Sequence, residues 1–533
     1  MNRRAFLGAA AATISAASLP WAATGAEIRD DIEIVRRSLA LHPGLLRYNT
    51  ATQIEERLAA LQAKFLEGPD LTARYLALQR FLATVRCGHT QCNFYNQSDA
   101  VVADVIDRPT RVPFSFAWMG GRMIVLGDHT GVGALPRGTE ILKLNGEKPA
   151  DLLRRLLPYA RADGGNDGKR VAQFEMRNTD EYETFDVYQG LIAPPGAGGH
   201  RIKARRPDGR KVDGDMPTQT LAERQSQQKT LDSDSNDGPF WTWEMRGDIA
   251  VLTMPTWTMY NTKWDWEGWL GERLASLVGA KGLVMDLRDN EGGNECGNYI
   301  LARLADANLE FAGYEKRVRF RRTPADLDPY LDTWDRSFRT IGENAETISD
   351  GFFRLPGQMR IDAIPAAGPK LAVPVAALVG PACSSATFSF ARRAKESGLV
   401  KLFGQTTGGN LRGINGGAYF FVRLPASGIE FDLPIISYFP YTLQPDAGVR
   451  PDIEIAPDAP GQWCRSRHPQ AADKVLRTDI APRLLQCLRQ RSDKIAPVVN
   501  PRRVDGNPLE LRDVDYALLD PDRTIVANRD QGH

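Results

Sequence analysis

Cysteine and histidine are scarce in this chain, with six of each in 533 residues. So few cysteines over such a length exclude a disulfide-built scaffold, and Cys87 with Cys92 or Cys464 with Cys487 remain only candidate bridges. The Cys and His spacings match no zinc site, so neither a metal nor a cofactor is expected. A charge excess is also missing: 67 Lys plus Arg stand against 66 Asp plus Glu. That balance gives no electrostatic case for nucleic acid or an anionic membrane as partner. Past the N-terminus no apolar run is long enough to span a bilayer, so no stable membrane insertion is expected. What remains is a large globular chain of two to four domains, suited to neutral or mixed polymers, with no feature that fixes an oligomeric state.

The N-terminus, MNRRAFLGAAAATISAASLPWAATGA, combines paired arginines, an Ala-rich apolar stretch and small residues up to Ala26. It reads as an export signal over residues 1–26, and Arg3-Arg4 before Ala5-Phe6-Leu7 looks like the twin-arginine motif. The mature chain then begins near Glu27 and works in the periplasm or outside the cell.

Residues 27–99 show apolar positions three and four apart in IEIVRRSLALHPGLLRY, IEERLAALQAKFLEG and LTARYLALQRFLATV, which predicts a bundle of three helices. This domain closes on RCGHTQCNF, with His89 on a turn. Residues 100–222 are β-rich: FSFAWMGGRMIVLG reads as a hairpin, and RGTEILKLNGEKPADLLRRLL as strand, Asn-Gly turn and amphipathic helix. Residues 223–239 are polar and aperiodic and read as a linker. From 240 to 457 strands and helices alternate, which argues for an α/β domain of mostly parallel strands. Within it, Phe311 to Leu355 is aromatic and charged without a period, either an insertion near a cleft or ordinary core around Tyr330 and Trp334. Residues 458–533 form a Pro-rich, charged C-terminal extension.

The stretch from Val375 to Asn410 carries the chemistry. An apolar strand, Val375 to Val379, meets Gly380-Pro381, then the small cluster Ala382 to Ala386, then a helix with Phe388, Phe390, Ala391 and Ala394 on one face. Ser384 and Ser385 sit where the first free amides of that helix point outward, a place that favours a developing oxyanion. A plain N-cap role is the alternative for either serine.

Four segments occur in order: KGLVMDLRDNEGG (Lys281 to Gly293), the serine turn, GQTTGGN (Gly404 to Asn410) and GVRPDIEI (Gly448 to Ile455). Together they resemble the S41 peptidase family of C-terminal processing and tricorn-type serine proteases. The resemblance implies an S41 α/β catalytic core behind an N-terminal helical bundle and a β-rich, PDZ-like domain. It also implies a serine peptidase acting on peptides or unfolded protein. Ser385 lies at the family's spacing of 19 residues before Gly404, which makes it the nucleophile. The lysine that processing proteases carry 25 residues beyond the serine is Asn410 here, and Lys395 and Lys401 are poorly placed to replace it. The resemblance is therefore to the tricorn-like branch, with His89 as base and then acid. In that branch an acid lies a little under sixty residues past the serine; Gln444 fits the spacing and Asp446 the chemistry, and Asp446 is chosen. The amides of Ala386 and of Gly292 or Gly293 match the family's oxyanion hole. A catalytically inactive protein that binds peptides or apolar ligands on the same core is the competing expectation, and ester or lactone hydrolysis a third.

Overall fold

The computed structural model describes residues 24–455 apart from 179, 228–237, 261 and 358–359. Residues 1–23 of the expected export signal, Cys464, Cys487 and the whole 458–533 extension lie outside the described residues.

The three N-terminal helices span Gly25–Leu39, Ala51–Glu67 and Leu71–Ala83. Thr24 and Glu27 form a capping box at the first, Thr50 and Gln53 at the second, and the Asp70 carboxylate accepts the Ala73 amide at the third. Their apolar faces, including Val35, Leu58, Phe65, Tyr75 and Leu78, bury against one another and against the β-rich segment that follows.

Residues 100–222, expected as PDZ-like, contain a five-stranded antiparallel sheet whose strands lie in chain order from Phe114–Met119 to Lys211–Met216. The hairpin read from FSFAWMGGRMIVLG pairs Phe114–Met119 with Arg122–Asp128. The Asn-Gly turn is made at Asn145 and Gly146, both at positive φ, before the helix Pro149–Leu156. Residues 223–226, expected as the start of the linker, are helical, and 228–237 of that stretch lie outside the described residues. Leu221–Ser226 is helical because Thr220 and Glu223 form a capping box, and because Arg224, fully buried, pairs with Asp186 across 3.0 Å.

The remaining core is a six-stranded sheet in the order Ile453–Glu454, Val400–Gly404, Val375–Val379, Gly282–Asp286, Ile249–Thr253, Thr242–Arg246. All neighbours are parallel except the last pair, as the alternation of strands and helices predicts. Val375–Val379 is buried at every position, and Leu378 pairs with Asp286 at the carboxyl end. The loops leaving these two adjacent strands are the serine turn and the glycine loop. Adjacency in the sheet thus brings 290–293 and 384–386 together, at the strand ends where open α/β sheets bind ligands.

One hairpin of this C-terminal half, Tyr419–Arg423 with Glu430–Pro434, packs into the N-terminal core instead. Asp31 accepts the amides of Ala426 (2.8 Å) and Ser427 (2.9 Å), Asp432 accepts from Asn93 and Asn96 (both 2.7 Å), and its amide donates to Gln91 O. Gln97 exchanges two bonds with the backbone of Glu430. This stapling ties the segment around His89 to the C-terminal half of the chain.

Candidate active site

The serine turn is over-determined. The Cys383 amide closes it on Gly380 O (2.9 Å), its thiol donates to Leu287 O (3.0 Å), and the Gly408 amide donates to Cys383 O (2.7 Å). Ser384 is the extended N-cap of the helix Ser385–Ser397, and its hydroxyl donates to Glu291 O (3.1 Å). Ser385 holds φ 50, one of five non-glycine residues at positive φ among the described residues. A serine there stores strain of about 1–3 kcal/mol, which persists only because its surroundings hold it. The Thr387 and Phe388 amides both donate to Ser384 O, while that of Ala386 meets no protein acceptor among the described residues. An unsatisfied donor at a helix start is a ready anion site.

The glycine loop faces this turn. Asn290, fully buried, accepts the Gly292 amide (2.9 Å) and the Thr387 hydroxyl (2.7 Å) and donates to Met254 O (2.8 Å), so one side chain ties loop, helix and sheet. Gly292 adopts φ +106, and a Cβ on it would stand 2.8 Å from Ser385 Cβ and 2.9 Å from the Ala386 nitrogen. Only glycine allows that approach. The Gly292 amide is already spent on Asn290, whereas that of Gly293 meets no acceptor among the described residues.

His89 and Ser385 line one cavity of about 1290 Å³, together with Gly292, Gly293 and Ala386. The imidazole sits beside Tyr419, with ring centres 6.1 Å apart, and Trp334 packs against the same tyrosine in a tilted arrangement, 5.7 Å between ring centres. Trp334 therefore belongs to the cavity wall, while Tyr330 packs against the N-terminal core. Burial first, then the charges of Arg161 and Lys169, bring the His89 imidazole down to about 3. It is neutral at neutral pH.

Asp446 stands behind the cavity lining, bonded to the lining residue Asn410. Its carboxylate accepts from Asn410 Nδ2 (2.6 Å) and the Gly165 amide (2.9 Å), and it is not among the residues lining the cavity. Gln444 bonds to Thr442. Asn410, fully buried, also donates to Asp163 O (3.1 Å), so the position of the family's lysine is a structural amide. Lys395 donates to Arg450 O and Lys401 faces Asp452, both away from the serine.

Two charged residues on the cavity were not legible in sequence. Lys169, on the helix Asp167–Gln173, reaches Glu291 (2.7 Å), Ala382 O (3.2 Å) and Ser384 Oγ (3.5 Å). Burial lowers its ammonium against the pull of Glu291. Burial alone would raise the Glu291 carboxyl, but the Lys169 and Arg161 charges outweigh it and hold it at about 2. Asp163, buried, accepts the Gly88 amide (2.9 Å). Burial raises its carboxyl, opposed by that bond and by the charges of Arg47, Lys169 and Arg161. A carboxylate oxygen of Asp163, a ring nitrogen of His89 and the Cys87 sulfur lie within 4.8 Å of one another, which among the described residues is the one grouping of potential metal donors. Cys87 and Cys92 are both free thiols. The arrangement offers a neutral imidazole, a strained hydroxyl and two open amides on a water-accessible cavity.

Residues 248–455 match the sequence model of peptidase family S41. Mature CPAF complexed with lactacystin is similar at 16% identity and a TM-score of 0.57, over 88% of this chain and 99% of that one. Mature CPAF is similar at 15% identity and 0.55, over 89% and 99%. The photosystem II D1 C-terminal processing protease is similar at 16% identity and 0.40, over 86% and 99%. At these identities the likeness to CPAF concerns the fold. No curated protein sequence matches the chain.

Proposed function

We propose that this chain, which belongs to peptidase family S41 through residues 248–455 and is a serine-type peptidase, cleaves peptides or unfolded protein with Ser385 as nucleophile and His89 as its base. The Ser385 hydroxyl attacks the scissile carbonyl while His89 takes its proton. His89 then returns the proton to the leaving amine, and water repeats the cycle on the acyl-enzyme. The amides of Gly293 and Ala386 face the developing oxyanion, each worth about 3 kcal/mol when pre-organised. What carries the reading is that residues nearly three hundred positions apart share one cavity wall, with the serine in a strained backbone.

The test is incubation with an unfolded protein and mass spectrometry of the new termini. Cleavage that persists in Ser385→Ala sinks the reading. A second reading, an inactive binding protein, is favoured by the structural use of Asn410 and is the one left standing if the wild-type chain generates no termini. Arg3-Arg4 and the Ala-rich stretch support a periplasmic or secreted location by twin-arginine export. Cell fractionation of Arg3→Lys/Arg4→Lys tests this, since unchanged export excludes that route.

A further inference from the structure

We propose that Asp163, rather than Asp446 or Gln444, is the carboxylate that orients His89. This rests on the Ser385–His89 reading. The imidazole turns Nδ1 inward: that atom is buried and has no hydrogen-bond partner, while the ring lines the cavity shared with Ser385. A base that accepts the serine proton on Nε2 must carry its own proton on Nδ1 and needs an acceptor there.

Two acceptors lie within 4.8 Å of a ring nitrogen, the Cys87 sulfur and an Asp163 oxygen. The sulfur already accepts the His89 amide (3.4 Å), and burial pushes the thiol up to about 11, so it stays an uncharged, weak acceptor. The Asp163 carboxylate is the stronger partner. Its Oδ1 takes the Gly88 amide, and its Oδ2 lies against Gly88, 2.7 Å from where a Cβ would stand. Asp163 is thus held by the backbone of the turn that carries His89. The Gly164 amide donates to Arg86 O (3.0 Å) and the Asn410 side chain to Asp163 O, which clamps both segments together.

The assignment requires an Asp163 oxygen to close onto Nδ1–H, and catalytic hydrogen bonds commonly tighten only when substrate closes the site. Asp163 acts through His89 and is a positioning residue. Sequence spacing could not show it, because the segment 160–166 reaches the site from the β-rich half of the chain.

The experiment joins two readouts on the full chain. One is the rate at which a fluorophosphonate inactivates the enzyme; the other is the tautomer of His89, from ¹⁵N NMR of histidine-labelled protein assigned with His89→Ala. Asp163→Asn should slow inactivation by about 10³-fold or more, in the range seen when a triad aspartate becomes an amide. It should also move the His89 proton from Nδ1 to Nε2, which a merely structural role would not do. A smaller loss in Asp163→Asn than in Asp446→Asn overturns the assignment. So does a wild-type His89 protonated on Nε2, a result that needs no variant to fold. Should His89→Ala label as fast as wild type, the Ser385–His89 reading itself falls; a rate sensitive to His89→Ala but not to Asp163→Asn removes only this inference.

Discussion

The Lys169 ammonium donates to Glu291 across 2.7 Å and so pins the helix Asp167–Gln173 to the glycine loop opposite Ser385. The pair is asymmetric: the Lys169 side chain is 3% exposed and that of Glu291 47%. Losing Lys169 therefore leaves a carboxylate that water can reach, not a stranded buried charge. Lys169→Met is expected to cost about 1–2 kcal/mol in a urea melt. Fluorophosphonate labelling should slow about tenfold or more, because the serine turn loses its tether at Ala382 O and Ser384 Oγ. An unchanged labelling rate contradicts the tether.

Gly292→Ala is expected to abolish labelling while leaving a folded protein. The added methyl meets Ser384 O, Ser385 Cβ and the Ala386 nitrogen, all within 2.9 Å, at a φ of +106. Backbone strain of about 1–3 kcal/mol follows, and the serine turn is the part that must move. A variant that labels normally means the glycine loop is not packed on the nucleophile.

His42 supplies an acid-sensitive element. Its Nδ1 accepts the Gly44 amide (2.9 Å) and its Nε2 meets the Thr90 hydroxyl (3.0 Å), which fixes a neutral tautomer. Burial, then the Arg47 charge, lowers the imidazole from 6.5 to about 3. The unfolded chain binds this proton near pH 6.5 while the folded chain resists it down to about 3. Its contribution is complete above about 6.5 and is lost as pH falls through that window. The stability difference between wild type and His42→Gln should shrink by about 2 kcal/mol from pH 7 to pH 5, measured by denaturant melts at both. A constant difference refutes the buried neutral imidazole.

The parts of this molecule written in local periodicity were legible in its sequence. The three N-terminal helices, the Asn145-Gly146 turn, the parallel strands and the serine-led helix all follow from spacing and punctuation. Local geometry at the candidate site was legible where one short segment carries it, as with the helix start at Ser384-Ser385 and the paired glycines at positive φ. It was not legible where the fold imports a residue from another segment. Lys169 lies in a short helix with no distinguishing pattern, and Asp163 in a loop, and both reach the cavity through tertiary packing. The helix at the start of the expected linker had a local signal, the Thr220–Glu223 capping box, but a polar stretch conceals it, and the burial of Arg224 depends on a partner nearly forty residues away.

That partner gives a control remote from the chemistry. Arg224 and Asp186 are both fully buried, and Asp186 also accepts the Val112 amide (3.1 Å). Arg224→Ala strands the carboxylate and should cost about 3–5 kcal/mol. The folded fraction should keep its labelling rate, since neither residue lines the cavity. A loss below about 1 kcal/mol would show that the carboxylate finds another partner.

The central claim is that His89 activates the Ser385 hydroxyl. Intact-mass and peptide-level detection of a fluorophosphonate adduct in wild type, Ser384→Ala, Ser385→Ala and His89→Ala tests it most directly. The account predicts one adduct, on Ser385, kept in Ser384→Ala, absent in Ser385→Ala, and formed at least about 10³-fold more slowly in His89→Ala. An adduct on Ser384, or labelling indifferent to the loss of His89, contradicts it.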